Sequence, residues 1–437
     1  MIVSFGADFL GTWVSPVEFA AQYASKRRVE VEKPEMSRHI QVESHLSMTG
    51  SNADNRILVK PSEQGAAIAK LYNEVAALTG TPSVSAPNLN EKAAKALAKV
   101  AKELVAAKGK SLVISDSNNT NEQILVNGIN AMLTNYDATI DFAEANLMRQ
   151  GDDSDVQTLI NDMNSGSVNA VFVLNANPVF ELSNGAQFAA GLKKAGISVS
   201  FNQTIDETTS ACQYSAPANH FLESWGDAHP KMGHYSLIQP TISPIFDTRQ
   251  AEQSLLTWAE VAPQTEQPMY DYLKAVWQVN MFPKQREYTT FQAFWDATLH
   301  DGVFETPESN QKIFGINLNA ATAAAGITQP NTSKDALEIS FYETINMGNG
   351  QHANNPWLQE MPNPVNWTVW GNILSIPIKY TGKDFVATDN LKDGDKVKVT
   401  VGGKDTNVLL FANLVRWKEL WRLVWDMVVK KQAYVIM

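Results

Sequence analysis

The stretch Ile40-Gln-Val-Glu-Ser-His-Leu-Ser-Met-Thr-Gly-Ser-Asn-Ala-Asp54, continued by Asn-Arg-Ile-Leu-Val-Lys-Pro-Ser-Glu-Gln-Gly-Ala-Ala67, decides the fold. A short apolar strand over 39–42 enters a polar loop, and a second strand over 56–60 leads through a proline into an alanine-rich helix. This alternation of strands and helices predicts a parallel sheet. Because ligands bind where the strands of such a sheet end in loops, the polar loop is the first candidate for a binding site.

The sequence on both sides of this stretch continues the alternation. Further strands are predicted over 2–5, 110–115, 170–174 and 197–201. Helices are predicted over 16–25, 91–107, 122–133, 154–165 and 184–195, and the aromatic-rich segment 250–297 also has a helical pattern. After residue 364 the pattern changes to short strands over 367–370, 374–378 and 396–401, with a turn at 392–395 before the last. Two α/β regions and the start of a β-barrel or sandwich are therefore expected.

Composition narrows the class of protein. A chain of 437 residues is long enough for two or three domains, and a net charge of -11 without a basic cluster argues against nucleic-acid binding. The single cysteine, Cys212, excludes an internal disulfide, a Cys-ligated iron–sulfur cluster and a multi-Cys zinc site in this chain. No apolar run reaches the roughly eighteen residues that a membrane-spanning helix needs. A strand directly after Met1 is unusual for a central strand, so we expect the chain to be an internal part of a longer protein.

Two kinds of catalytic site were considered and are disfavoured. The residues His220, His229 and His234 with Glu223 and Asp227 lack the spacing of a helical pair of metal ligands, and they are predicted to be loop and interface residues. No Gly-x-Ser-x-Gly motif presents a nucleophile, which argues against a hydrolase.

With these landmarks in place, the order of motifs resembles the molybdopterin oxidoreductase family over about residues 2–413. The frame of that family's pterin-guanine grip is kept by Val42, Ser47, Thr49, Gly50, Ala53, Asp54 and Pro61. Later landmarks of the family are matched by Asn177-Pro178, Glu207-Thr208, Pro217, Glu223 and Asp393-Gly394-Asp395. The resemblance implies an α/β fold with Rossmann-like parallel-sheet lobes, followed by the start of a C-terminal β-barrel domain.

The departures from the family pattern concern the cofactor. Glu43, Ser44 and His45 replace the family's Asp, Pro and Arg, while the range 62–64 has Ser-Glu-Gln in place of Gly-Thr-Asp. Such changes leave buried polar groups without partners when the nucleotide binds. We therefore predict that the bis-molybdopterin guanine dinucleotide of the family has been lost and that this chain holds no cofactor or metal.

The residues expected at the cleft are Gly6, Asp8, Glu43, His45, Thr49, Asp54, Asn175 and Asn177. As a functional site they would form a ligand pocket, and the alternative is a vestigial groove filled by side chains and water. The lost pterin-binding residues favour the vestige, so no catalytic residue is assigned.

One branch of the family resembles the chain in more detail, namely the large B subunit of bacterial alternative complex III. The matching segments are 4–13, 36–44, 222–226 and 234–237. The resemblance implies a non-catalytic scaffold and docking part of a quinol:cytochrome c electron-transfer complex on the periplasmic face of the inner membrane. Its implied partners are an iron–sulfur domain of the same full-length subunit, a multihaem cytochrome c and quinol-binding integral membrane subunits. The alternatives are an active molybdopterin oxidoreductase and a free soluble binding protein.

We divide the chain into a first α/β lobe over 1–140, a second α/β lobe over 141–300, an irregular insertion over 301–363, the start of the barrel over 364–413 and an aberrant tail over 414–437. The tail has an apolar helical face, which is typical of an amphipathic helix at a membrane surface or partner. However, the barrel begun before residue 413 has too few strands to close. Back-translation in a shifted frame yields family-like barrel sequence, so we favour a frameshift near Asn413 over a genuine helix.

Overall fold

The computed structural model describes residues 1–32, 34–306, 319–330, 338–377, 394–401, 404–413 and 420–424. The chain divides into two units, which are described separately. The first unit comprises Met1–Asp141 and Lys312–Met437, and the second comprises Phe142–Gln311.

The described residues form strands that are numbered in chain order. These are β1 (Ile2–Phe5), β2 (His39–Glu43), β3 (Asn55–Leu58), β4 (Leu112–Ser115), β5 (Ala170–Val173), β6 (Ile197–Ser200), β7 (Tyr214–Ser215), β8 (Gly226–Lys231), β9 (His234–Ile238), β10 (Val303–Glu305), β11 (Glu338–Tyr342), β12 (Ile373–Pro377), β13 (Lys396–Val401), β14 (Lys404–Asn413) and β15 (Leu420–Val424).

The α-helices are numbered in the same way. They are α1 (Pro16–Arg27), α2 (Met48–Ser51), α3 (Gln64–Thr79), α4 (Glu91–Ala106), α5 (Thr120–Met132), α6 (Asp153–Ser165), α7 (Pro178–Glu181), α8 (Gly185–Leu192), α9 (Glu207–Ala211), α10 (Ala251–Trp258), α11 (Pro268–Asn280), α12 (Phe291–Asp301), α13 (Ala320–Ala325) and α14 (Pro356–Glu360). Short 3-10 helices occur at Pro61–Glu63, Phe221–Glu223 and Phe282–Lys284.

A parallel sheet with the strand order β3-β2-β1-β4 organises the first unit. Side chains alternate between its faces, and Phe5, Ile40 and Val42 point to the core that α3, α4 and α5 cover. Helix α3 carries the alanine-rich segment whose small side chains allow close packing, and Ala66 to Ala69 are fully buried. The strand order reverses between β1 and β4, which places a crevice for ligands outside the carboxyl ends of these two strands.

The other face of β2 is polar although it is buried. His39, Gln41 and Glu43 alternate with the apolar core residues, and each is at most 1% exposed. His39 hydrogen-bonds Tyr23 of α1 and Gln41, with 3.1 and 3.2 Å between the heavy atoms. Buried polar groups need such partners, so this face is held by hydrogen bonds rather than by apolar packing.

The carboxyl-terminal part of the first unit contains a mixed sheet with the order β11-β15-β12-β14-β13. Strands β13 and β14 form an antiparallel hairpin, whereas β12 and β14 pair in parallel. The strand predicted over 367–370 is wrong, because these residues form a tight turn in which Trp367 N–H donates to Asn363 C=O. In the tail, the described segment Leu420–Val424 is a strand that pairs with β11 and β12, so the alternative of an amphipathic helix is wrong there.

The second unit contains a parallel sheet, β5-β6-β7, and an antiparallel sheet, β10-β9-β8. Helices α6 and α8 pack on the parallel sheet around Met163, Phe188 and Leu192. The antiparallel sheet shares an aromatic core with α11 and α12, in which Trp277 and Trp295 are at most 1% exposed. The sequence predicted the helices and the parallel strands but not the antiparallel sheet.

The segment 301–363, which was predicted to be irregular, contributes α13, β11 and α14 in its described part. The turn predicted at 392–395 lies partly outside the described residues. The proposed domain boundaries and the frameshift near Asn413 remain predictions.

Candidate functional site

The crevice at the reversal of strand order begins at Gly6, directly after β1. Gly6 has a φ of 70°, and its N–H donates to the Val42 C=O at 2.9 Å. A Cβ atom at this position would collide with the carboxylate of Asp116, which follows β4. The Gln64 side chain donates to Asp116 Oδ1 at 2.9 Å. The chain's own side chains thus occupy the space beside the ends of β1 and β4.

Asp8 and Thr49 hold their two loops together. Asp8 Oδ1 accepts a hydrogen bond from Thr49 N–H at 2.8 Å, and Thr49 Oγ1 accepts one from Leu10 N–H at 2.9 Å. The Asp8 C=O also accepts from the N–H groups of the turn over 11–13. These predicted site residues therefore lie together, and their printed hydrogen bonds are internal to the chain.

Glu43 ends β2 as a buried carboxylate with an exposed fraction of 1%. Arg56 Nε donates to its Oε1 at 2.5 Å, and Ser47 Oγ donates to its Oε2 at 2.6 Å. Burial raises the pKa of Glu43, while Arg56 and Ser47 act in the opposite direction. A Cβ atom at Gly50 would collide with the same carboxylate, so the glycine is needed to accommodate Glu43.

The neighbouring positions of the grip contact strand β11. The rings of His45 and Tyr342 stack with 5.6 Å between centroids and 20° between planes. Ser62 N–H and Ser62 Oγ donate to the two carboxylate oxygens of Glu338 at 3.0 and 2.7 Å. Glu338 thus places a negative charge at the start of the turn that leads into α3. Both ends of β11 contact the residues that replace the family pattern.

The cleft has an acidic character. Crowding by protein atoms raises the pKa of Asp116 to about 6, although part of this residue's surface is open to solvent. The nearby carboxylates of Glu122 and Glu43 raise it further, and burial also raises the pKa of Glu122. Negative charges close together disfavour one another, so this crevice opposes a second source of negative charge such as phosphate.

Asp54 does not lie with the other site residues. It directly precedes β3, and its Oδ2 accepts from the N–H of His39 at the start of β2, with 2.7 Å between the atoms. Arg27 binds the same carboxylate with two hydrogen bonds of 2.7 and 2.8 Å, and this contact lowers the pKa of Asp54 to about 2. Asp54 is therefore at the amino ends of the strands, on the edge of the sheet opposite the cleft.

Asn175 and Asn177 belong to the second unit, in the loop after β5. Asn175 has a φ of 49°, a left-handed conformation that asparagine tolerates. The Asn177 side chain donates to Glu207 at 2.9 Å and accepts from Thr208 N–H and Oγ1 at 3.1 and 2.6 Å. The Asn-Pro and Glu-Thr landmarks thus contact each other, and the amide of Asn177 is used within the unit.

The histidines considered as metal ligands have separate partners. His229 stacks on Tyr235, with 4.2 Å between ring centroids, and His234 Nδ1 lies 3.2 Å from Glu305. His220 N–H donates to Glu223 at the 3-10 helix that begins beside it. In the part of the chain that the structure describes, no group of three or more His, Cys, Asp or Glu side chains is arranged to hold a metal ion.

Sequence reasoning missed several residues that now belong to the site, namely Arg56, Asp116, Glu338 and Tyr342. The alternation Glu-Ile-Ser-Phe-Tyr over 338–342 is typical of a strand, so β11 itself could have been predicted. Its contact with Ser62 joins residues 276 positions apart, and no local pattern encodes that pairing.

Comparisons with known proteins support the fold. No family model matches the chain. It is 35% identical over 91 residues to the menaquinone reductase molybdopterin-binding-like subunit of Nitratidesulfovibrio vulgaris, a match that covers 20% of this chain and 13% of that subunit. The chain therefore matches only a small part of this curated relative.

A solved structure gives a broader match. Acetylene hydratase from Pelobacter acetylenicus superimposes with a TM-score of 0.59 at 10% identity, over 97% of this chain and 70% of that one. The similarity confirms the predicted fold class, an α/β fold with parallel sheets of the molybdopterin oxidoreductase type. None of the described helices is both long and apolar enough to cross a bilayer.

Proposed function

We propose that this chain is a non-catalytic, molybdopterin-oxidoreductase-like scaffold and docking portion of a membrane-associated respiratory complex that handles quinones. It retains the fold of the cofactor-binding enzymes, and its role is to position redox-active domains and subunits that bind around it.

The observation that carries the proposal is the filling of the grip by the chain itself. Glu338 takes both the N–H and the hydroxyl of Ser62, and Tyr342 covers His45. Glu43 takes up the space above Gly50 and is paired with Arg56. A nucleotide would have to displace these contacts and leave Glu43 or Arg56 buried without a partner, which is costly. The residues of this grip therefore do not fit a pterin-guanine cofactor.

Charge supports the same conclusion. The cofactor implied by the resemblance carries phosphate groups, whereas the crevice at the strand ends contains the carboxylates of Asp8, Glu43, Asp116 and Glu122. Of the nearby cations, Arg56 is paired with Glu43. A site that binds phosphate normally presents free N–H groups or cations, and this crevice presents acceptors.

The curated relative supports the assignment to a quinone-linked complex, because it is named as a subunit of a menaquinone reductase. Within that class, the motifs of the sequence favour the B subunit of alternative complex III, which uses quinol as the electron donor. The partners we propose are an iron–sulfur domain of the full-length subunit, a multihaem cytochrome c and integral membrane subunits. The location we propose is the periplasmic face of the inner membrane.

Metal and pterin analysis of the native protein tests the loss of the cofactor. The complex is purified from its own membranes, and the separated subunit is denatured and assayed for molybdenum, tungsten and released pterin. A molybdopterin enzyme purified from the same cells is the positive control. We expect the control to contain metal and pterin and this subunit to contain neither. Stoichiometric metal with released pterin in this subunit would identify an active oxidoreductase and refute the proposal.

Co-purification tests the scaffold role. An affinity tag on the full-length protein should recover membrane subunits and a haem protein in fixed proportion from detergent extracts. Recovery of the tagged protein alone, from the soluble fraction, would identify a free binding protein instead.

A further inference from the structure

A group of exposed apolar side chains lies between α14 and β12 in the first unit. Trp357 is 83% exposed, Trp367 is 81% exposed and Trp370 is 49% exposed. Met361 and Val369 are each 44% exposed. We call these five residues the tryptophan patch. The exposure is unusual because large aromatic side chains are normally buried in a monomer, and clustered exposure marks an interaction surface.

Backbone hydrogen bonds bring the parts of the patch together. Trp370 N–H donates to Gln359 C=O at 3.0 Å, which ties the second half of the segment to α14. Trp367 N–H donates to Asn363 C=O at 2.8 Å, and Asn363 N–H donates to Thr368 C=O at 2.9 Å. The tryptophans thus extend from one folded segment.

Amide side chains brace the segment from inside. The Gln359 side chain is 2% exposed and donates to Ala353 C=O at 2.8 Å. Asn346 donates to the C=O groups of Leu358 and Met361 at 3.2 and 3.1 Å. Because buried amides with satisfied hydrogen bonds specify one conformation, the patch is a preformed surface.

Two of the tryptophans have a strained backbone. Trp367 has a φ of 60° and Trp370 a φ of 49°, in the left-handed region that bulky residues rarely adopt. Glycine or asparagine would relieve this strain. Strain of this kind persists where function requires it, and here it accompanies exposure that gives the isolated chain no packing energy.

The charge of the segment identifies the kind of surface that covers it. Residues 344–372 contain no Lys or Arg, and Glu360 and His352 are their only ionisable side chains. Binding to an anionic bilayer requires basic residues, and the chain as a whole has a charge of -11. Protein interfaces instead combine aromatic anchors with a core depleted of charge.

We propose that the tryptophan patch docks another protein subunit, whose apolar and charge-poor surface has pockets for the rings of Trp357, Trp367 and Trp370. The inference rests on the proposed function, since that subunit is a member of the same respiratory complex. The uncharged amides around the patch supply hydrogen bonds at the rim of the interface.

The test uses the tagged full-length protein in its native membranes with three variants. The first is Trp357→Ala, the second is Trp367→Asn with Trp370→Asn, and the third combines all three changes. Phe246→Ala is the matched control, because Phe246 is 75% exposed and lies in the second unit. The readouts are the amount of each partner subunit that co-purifies and the melting temperature of the separated tagged protein.

We expect the combined variant to retain about a tenth or less of one partner subunit, as removal of aromatic anchors commonly causes. The Phe246→Ala protein should retain all of them. The asparagine variant should melt at the same or a higher temperature than the wild type while its association weakens. A merely structural role for these tryptophans would lower the melting temperature, and that outcome would overturn the inference.

Further outcomes separate the inference from the proposed function. If the wild type recovers its partners and the combined variant recovers them equally well, the patch is not the docking surface although the complex exists. If the wild type recovers no partner, the proposed function itself fails. Two more results would also overturn the inference. One is tryptophan-dependent flotation of the wild type with phosphatidylethanolamine and phosphatidylglycerol vesicles, and the other is tryptophan-dependent dimerisation in sedimentation.

Discussion

At the scale of single residues, buried charges determine how the former grip behaves. Glu43 and Arg56 have side-chain exposures of 1% and 17%, so neither charge is well hydrated when its partner is removed. The cost of a buried ion without its partner exceeds the attraction that is lost in an exposed pair. The Glu43 position therefore contributes to stability even though we assign it no catalytic role.

The substitution Glu43→Ala tests this contribution. It should lower the free energy of unfolding by about 3 to 5 kcal/mol, because Arg56 remains buried without its carboxylate. Glu30→Ala is the control, since Glu30 pairs with Arg28 at the surface with exposures of 57% and 79%. The control should change stability by less than about 0.5 kcal/mol in urea unfolding. Equal effects of the two substitutions would show that the buried pair is not important.

His39 gives a second residue-scale prediction, on the dependence of stability on pH. Burial lowers its pKa to about 4, against an ordinary value of 6.5. The folded-state pKa is the lower one, so the contribution to stability is complete above pH 6.5. It is lost as the pH falls through the folded-state pKa of about 4, because the unfolded chain gains the proton first. The loss amounts to about 3 kcal/mol.

Urea unfolding at several pH values measures this effect. The difference in unfolding free energy between wild type and His39→Gln should depend on pH within that window, with the wild type losing more stability on acidification. His300→Gln, at a side chain that is 88% exposed, should give a difference that does not depend on pH. Parallel curves for wild type and His39→Gln would contradict the prediction. Asp54 affects a lower range, since its pKa is lowered from 3.8 to about 2 and its contribution is lost only as the pH falls through that range.

At the scale of elements, β11 is the strand that closes the grip. Its first residue, Glu338, accepts from Ser62, and its last residue, Tyr342, stacks on His45. A single strand thus contacts both segments whose sequence departs from the family pattern. This pairing explains how the frame of the grip can be stable without a bound nucleotide.

A double-mutant cycle on Ser62→Ala and Glu338→Ala measures this contact. We expect a coupling energy of about 1 to 2 kcal/mol, because the hydrogen bond has a charged acceptor and is partly buried. Glu338→Ala alone should cost more than Ser62→Ala alone, since it also removes the acceptor of the Ser62 N–H. The same cycle on the exposed pair Thr400 and Asp405 is the control and should give less than about 0.5 kcal/mol. A coupling near zero for Ser62 and Glu338 would argue against β11 as the closing strand.

At the scale of the whole molecule, the chain has two units with separate cores. The second unit is one continuous segment, Phe142–Gln311, and it buries Trp277, Phe294 and Trp295 in its aromatic core. The first unit is built from two segments that are distant in sequence. A continuous segment with its own core is the arrangement that permits independent folding.

We therefore expect the segment 142–311 to fold when it is expressed alone. It should unfold cooperatively in urea and show a near-ultraviolet circular dichroism signal from its packed tryptophans. Trp295→Ala should reduce that signal and cost about 3 to 5 kcal/mol, since this side chain is fully buried. Trp258→Ala is the control, because Trp258 is 48% exposed. A non-cooperative transition without a near-ultraviolet signal would show that the unit depends on the rest of the chain.

Local pattern was sufficient for much of the fold. The apolar alternation of β1 and β2, the caps of α4 and α5, and the alanine-rich α3 are encoded within a few residues, so their positions were predicted to within about three residues of those observed. The contact of Asp8 with Thr49 also followed, because the loops after adjacent parallel strands lie at the same edge of the sheet. The turn over 367–370 was mistaken for a strand because its aromatic residues favour strands, whereas hydrogen bonds from Asn363 and Gln359 hold it as a turn.

The sequence by itself determined the succession of elements, the parallel sheet of the first unit and the altered residues of its grip. Only the tertiary structure decided that Asp54 braces the opposite edge of the sheet, that Glu338 and Tyr342 contact Ser62 and His45, and that tryptophans extend from the segment after α14. The physical reason is the range of the interactions. Periodicity and capping act over a few residues, whereas a contact between residues 276 positions apart exists only when all the intervening elements have packed.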